Sequence, residues 1–130
     1  MLNPTRLVRT ASIGLLFAGS VGCSPTRPSG AGEGITVYQH PNYGGDARRL
    51  GADERDLKDV VGPCSDYRWW DDCISSIKVP EGWRATIYED PNFRGGSLTI
   101  TADIPDLDRM MGPCNGDWEN CISSIRIFRP

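Results

Sequence analysis

The chain has 130 residues, with 14 Lys+Arg, 17 Asp+Glu and one His, for a formal net charge of −3. That length holds one compact domain or two very small ones and excludes an enzyme with separate cofactor and substrate domains. The acidic balance argues against nucleic acid as a partner, and a hydrophobic fraction of 38% suggests a core helped by disulfides or bound ions.

Residues 1–10 carry Arg6 and Arg9 and no acid, and residues 11–22 are uncharged and mostly apolar. Twelve residues are too few to span a bilayer but fit the apolar region of a secretory signal. The run closes on Ser20-Val21-Gly22-Cys23. Small residues before a Cys resemble a bacterial lipobox, in which the Cys becomes the acylated N-terminus. The Leu usual three residues before that Cys is Ser20 here. The expectation is a signal over 1–22, lipidation at Cys23 and an outer-membrane or cell-surface location; an ordinary cleaved signal followed by a free Cys is the alternative. Removing residues 1–22 leaves 12 basic against 17 acidic residues, a net charge of −5. Residues 24–34 contain no aromatic or large aliphatic side chain and read, with Cys23, as a flexible tether.

From residue 35 the chain is one unit written twice, 35–80 and 83–128. Tyr38-Gln39-His40-Pro41-Asn42-Tyr43-Gly44-Gly45 faces Tyr88-Glu89-Asp90-Pro91-Asn92-Phe93-Arg94-Gly95. Gly62-Pro63-Cys64 faces Gly112-Pro113-Cys114, and Asp72-Cys73-Ile74-Ser75-Ser76-Ile77 faces Asn120-Cys121-Ile122-Ser123-Ser124-Ile125. Such a period marks a duplicated supersecondary unit. Ile35–Tyr38, Ser76–Val79, Ala85–Tyr88 and Ser97–Thr101 alternate like strands, with turns at Pro41-Asn42 and Pro91-Asn92. Gly45 and Gly95 mark places where a side chain would obstruct a folded hairpin or demand positive φ. Short helical turns fit Asp53–Val60 and Ile104–Met111. Many short strands in a duplicated unit suggest an antiparallel sandwich.

Four cysteines remain once Cys23 is set aside, which in an exported chain reads as two disulfides. Each copy holds its own pair, so Cys64–Cys73 and Cys114–Cys121 are the economical pairings, with pairing between copies left open. A zinc site is the poorer rival, because these spacings lack a tight knuckle.

Tyr38-x4-Tyr43-x-Gly45 and Tyr88-x4-Phe93-x-Gly95 resemble the Greek-key signature of the βγ-crystallin superfamily. Asp71-Asp72-Cys73-Ile74-Ser75-Ser76 and Glu119-Asn120-Cys121-Ile122-Ser123-Ser124 resemble its calcium motif: two Asp or Asn, two variable residues, Ser or Thr, then Ser. The resemblance covers residues 35–128. It implies an all-β sandwich of two Greek-key motifs that binds Ca²⁺ in a crossed arrangement. The Asp71–Ser76 loop would meet the second unit's hairpin near Glu89, and the Glu119–Ser124 loop the first unit's hairpin near Gln39. Ser75 and Ser123 would be direct ligands. Asp71, Asp72, Glu119 and Asn120 would add oxygens, with backbone carbonyls at Glu89 and Gln39. Calcium takes six to eight such oxygen ligands. The first loop carries more carboxylates, so the Ser75 site is expected to be the tighter one.

Trp70 and Trp118 occupy equivalent positions and read as core, as does Trp83; Trp69 has no counterpart and reads as a candidate contact. His40 lies in a turn with nothing placed to orient it. The aspartates of 53–59 and 103–108 read as a solvated face. No nucleophile–base–orienter set assembles. The leading expectation is a non-enzymatic, calcium-binding module tethered to the bacterial envelope. The alternative is a secreted protease inhibitor or antimicrobial protein presenting the Cys64–Cys73 loop with Tyr67, Trp69 and Trp70. Adhesion to glycans through Trp69 is a weaker third.

Overall fold

The computed structural model describes residues 33–64, 66 and 68–130. The proposed signal, Cys23, nearly all of the tether, and Tyr67 lie outside them.

Among the described residues, eight strands run in chain order. They are β1 (Ile35–His40), β2 (Gly44–Leu50), β3 (Val61–Cys64), β4 (Ser76–Lys78), β5 (Arg84–Asp90), β6 (Arg94–Ile100), β7 (Met111–Cys114) and β8 (Ser124–Phe128). Alternation decides which face of the central strands is buried: Ile35 and Val37 on β1, Ala85 and Ile87 on β5 are fully buried, with partly exposed residues between them. Two antiparallel three-stranded sheets result, in the orders β2-β1-β4 and β6-β5-β8. The ladders match residue for residue: Ile35 pairs with Leu50 in one and Ala85 with Ile100 in the other.

Both hairpins break register at the same place. The ladder skips Gln39 between Tyr38 and His40, and Glu89 between Tyr88 and Asp90. Beyond the break the chain folds over itself, with Asn42 and Tyr43 at φ 58° and 62°, Asn92 and Phe93 at 62° and 60°. The aromatic of each fold packs on the tyrosine of its strand: Tyr43 on Tyr38 at 5.5 Å between centroids, Phe93 on Tyr88 at 5.7 Å. Gly45 and Gly95 have φ of 74° and 79°, and a Cβ there would lie 2.6 Å from His40 Cδ2 or 2.7 Å from Asp90 Oδ2. Obstruction and positive φ both demand glycine.

The two units exchange a segment. Glu54, from the first unit, bridges Ile125 on β8 through backbone bonds of 2.9 and 3.0 Å. Ile104, from the second, bridges Ile77 on β4 at 2.8 and 2.9 Å. Asp53 and Asp103 extend each exchange, their Oδ1 atoms accepting from Ile127 N and Val79 N at 2.7 Å. Asp56 and Asp106 then cap the 3-10 turns Leu57–Asp59 and Leu107–Arg109. The aspartates taken as a solvated face therefore include four that satisfy backbone donors. One cluster of buried side chains draws on both units, including Ile77, Ile87, Ile104, Leu107 and Ile125. The disulfides are Cys64–Cys73 and Cys114–Cys121, one within each unit.

Candidate metal centre

Each loop after the tryptophan ends a disulfide-closed segment and opens onto the strand that completes its sheet. Asp72 and Asn120, at equivalent positions, adopt φ of 52° and 50°. That left-handed turn suits Asp and Asn better than most other residues. Each turn is pinned from the opposite unit: Asp72 N donates to Ile122 O at 3.0 Å, and Asn120 N to Ile74 O at 3.1 Å.

The last serine of each motif is structural. Ser76 Oγ donates to His40 O at 2.7 Å and accepts from Tyr43 N at 3.0 Å. Ser124 Oγ does the same with Asp90 O and Phe93 N, at 2.6 and 3.0 Å. These hydroxyls bind the folded hairpin to the sheet.

The preceding serines are buried and turn to the opposite unit's acids. Ser75 Oγ donates to Glu119 Oε2 at 2.6 Å, and Asn120 Nδ2 reaches the same oxygen at 3.2 Å. Ser123 Oγ donates to Asp72 Oδ1 at 3.5 Å. Backbone bonds of 2.9 Å place Ser75 N on Tyr38 O and Ser123 N on Tyr88 O, beside the two ladder breaks. Two oxygen-rich constellations follow. One joins Ser75, Glu119 and Asn120 next to Gln39; the other joins Ser123, Asp71 and Asp72 next to Glu89.

That grouping corrects one expectation. Ser75 sits with Glu119 and Asn120, away from the acids of its own loop, so the carboxylate-rich constellation holds Ser123. The reason is the exchange between units, which crosses the end of each loop to the other unit's start.

The side chains of Gln39 and Glu89 fold along their own hairpins, where Gln39 Oε1 accepts from Asp46 N at 3.4 Å and Glu89 Oε1 from Gly96 N at 3.2 Å. A ladder break leaves a residue's backbone groups outside the sheet pairing.

Two atoms test the fit of a cation. Asp71 Oδ1 and Glu119 Oε1 are buried with no hydrogen-bond partner, one in each constellation. Leaving a buried carboxylate oxygen unpaired is costly. A hard cation satisfies such oxygens, and the surrounding donors are hydroxyls, carboxylates and carbonyls. Burial, then the neighbouring Asp71 charge, push the Asp72 carboxyl above the usual carboxylate value. Among the described residues, no three His, Cys, Asp or Glu side chains converge, so any cation there depends on serine and backbone oxygens as well.

Elsewhere, Trp70, Trp118 and Trp83 are core residues. Trp69 bridges Val61 and Cys64 and lies under the Lys58 ammonium at 5.7 Å. His40 gives its backbone carbonyl to Ser76. The structural use of Ser76, Ser124, Asp53 and Asp103 was missed from sequence; their identity in both copies was the available signal.

A family model described as peptidase inhibitor family I36 matches residues 34–101. Among solved structures, a βγ-crystallin domain from Flavobacterium johnsoniae is 31% identical, over 73% of this chain and 93% of that one, at TM-score 0.55. A βγ-crystallin domain from Clostridium beijerinckii is 27% identical, over 73% and 97%, at TM-score 0.57. A clostrillin double mutant in complex with nickel is 27% identical, over 72% and 95%, at TM-score 0.56. A comparison with curated proteins finds no match.

Proposed function

Because the chain belongs to the βγ-crystallin superfamily and to peptidase inhibitor family I36, we propose that it is a calcium-binding module held at the bacterial cell envelope. Both memberships point to a protein that binds rather than catalyses. Its two disulfides belong to an exported chain, since such bonds persist in oxidising compartments. Anchoring is supported by the Ser20-Val21-Gly22-Cys23 run.

The observation that carries the calcium reading is the pair of orphaned buried oxygens, Asp71 Oδ1 and Glu119 Oε1. Ser123, Asp71 and Asp72 would hold one ion with the Glu89 backbone; Ser75, Glu119 and Asn120 would hold the other with the Gln39 backbone. A bound cation neutralises the carboxylates and ties the two units together. Serine hydroxyls keep each acid oriented, and the left-handed turns at Asp72 and Asn120 present adjoining oxygens. The acids outnumber amides around Ser123, which makes that site the tighter one.

Calorimetric titration of the chain from residue 24 onward tests this. Calcium binding in two steps, with the tighter one lost in Ser123→Ala, is the expected result; no heat and no rise in Tm at millimolar calcium overturns it. An ion at ten times its Kd stabilises by about 1.4 kcal/mol.

A second reading, peptidase inhibition, is favoured by where the family match lies. It spans the Cys64–Cys73 loop and stops before Cys114–Cys121. Trp69 and Lys58 stand on that side of the molecule. A panel of peptidases tests it: inhibition weakened by Trp69→Ala supports the loop as the contact, and no inhibition of any class removes this reading.

A further inference from the structure

Where the described chain begins, Gly34 lies hard against the backbone of the first unit. A Cβ there would stand 2.3 Å from Leu50 O and 3.1 Å from Gly51 Cα. Gly51, Ala52 and Asp53 form one wall of a shallow groove of about 680 Å³, with Arg84, Phe128 and Arg129 opposite. The Arg84 guanidinium lies 4.8 Å over Phe128, and that of Arg129 lies 5.6 Å over Trp83. Arg129 also donates to Gly51 O at 3.3 Å. Among the described residues neither Arg84 nor Arg129 makes an ion pair, in a chain of net negative charge. Asp53, the acid in the groove, gives Oδ1 to Ile127 N at 2.7 Å.

We propose that this groove docks on the anionic phospholipid headgroups of the membrane that holds the Cys23 anchor. The proposal rests on the envelope-anchored reading above. Ten residues separate Cys23 from Gly34. Ten residues can span at most about 35 Å. The edge beside Gly34, on which the groove lies, is therefore within that length of chain from Cys23. Stacking on a ring leaves the N–H edge of the Arg84 guanidinium, and the part of Arg129's that does not reach Gly51 O, to meet a phosphate, and aromatic side chains favour the headgroup level. Two arginines, at ~1 kcal/mol each near an anionic surface and opposed by about as much from Asp53 alone, favour the docked state about 5-fold.

The acylated mature chain, reconstituted in vesicles carrying brominated phospholipid, provides the test. With phosphatidylglycerol present, tryptophan fluorescence is quenched. That quenching is lost at molar NaCl, in zwitterionic vesicles, in Trp83→Phe, and in the Arg84→Glu/Arg129→Glu double variant with an unchanged Tm. Should the double variant lose its fold, the salt and lipid comparisons on the unaltered chain decide alone. Quenching that ignores lipid charge and salt, or its absence throughout, overturns docking while leaving the anchor intact. Mass spectrometry of the mature chain separates the two: a Cys23 without acyl groups removes the anchored reading, and this proposal with it.

Discussion

At Asp72, one side chain would couple pH to the proposed calcium affinity. Burial and the Asp71 charge raise its folded pKa above the ordinary 3.8. The folded chain then binds the proton more tightly than the unfolded one, so stability falls as pH rises from the unfolded value through the raised folded value. The effect is absent below that window and complete above it. Thermal melts of the calcium-free protein are expected to show Asp72→Asn more stable than the parent at neutral pH, with the difference vanishing in acid. Calcium bound as proposed would reverse the preference, because it favours the carboxylate; its affinity is expected to fall through the same window as pH drops, with proton release on binding. Calorimetry in buffers of different ionisation enthalpy measures that proton.

Gly62 and Gly112 show the same precision in packing. A Cβ on either would stand 2.5 Å from the Cδ1 of its unit's buried indole, Trp70 or Trp118. Gly62→Ala is expected to lower stability by about 1–3 kcal/mol through overpacking, and Trp118→Ala by ~3–5 kcal/mol through a cavity. Urea melts of both variants check the order.

Among the elements, the disulfide-closed loops carry the left-handed turns at Asp72 and Asn120, since Cys73 follows Asp72 and Cys121 follows Asn120. Each bridge closes a loop of about ten residues and contributes roughly 2.5 kcal/mol in the chain-entropy account. The Cys114→Ala/Cys121→Ala variant is expected to lose about that much stability, with weaker calcium binding at the Ser75 constellation as the Asn120 turn loosens. The exchanged segments are the other determining elements. Asp103→Ala leaves Val79 N without its 2.7 Å acceptor at the margin of β4. A loss of about 1–2 kcal/mol is expected by urea titration.

At the scale of the molecule, neither unit can complete itself. Each sheet takes a backbone bridge from the other unit, and both constellations mix residues of the two. One calorimetric transition is expected for the whole domain, and residues 35–80 expressed alone are expected to show no cooperative melt.

The repeat by itself determined a good deal. Alternation set the buried faces of β1 and β5, the glycines fixed the folded hairpins, and duplicated cysteine positions favoured one disulfide within each copy, which the structure then settled. These are local properties, carried by residues close in sequence. What the tertiary structure decided was the partition of the oxygens: Ser75 with Glu119, Ser123 with Asp72. It also revealed Asp53 and Asp103 as partners of backbone donors some 74 and 24 residues away. Both outcomes depend on which unit lends a segment to which sheet. A periodic sequence is equally consistent with self-contained and exchanged units, because the burial pattern along each strand is the same in either arrangement.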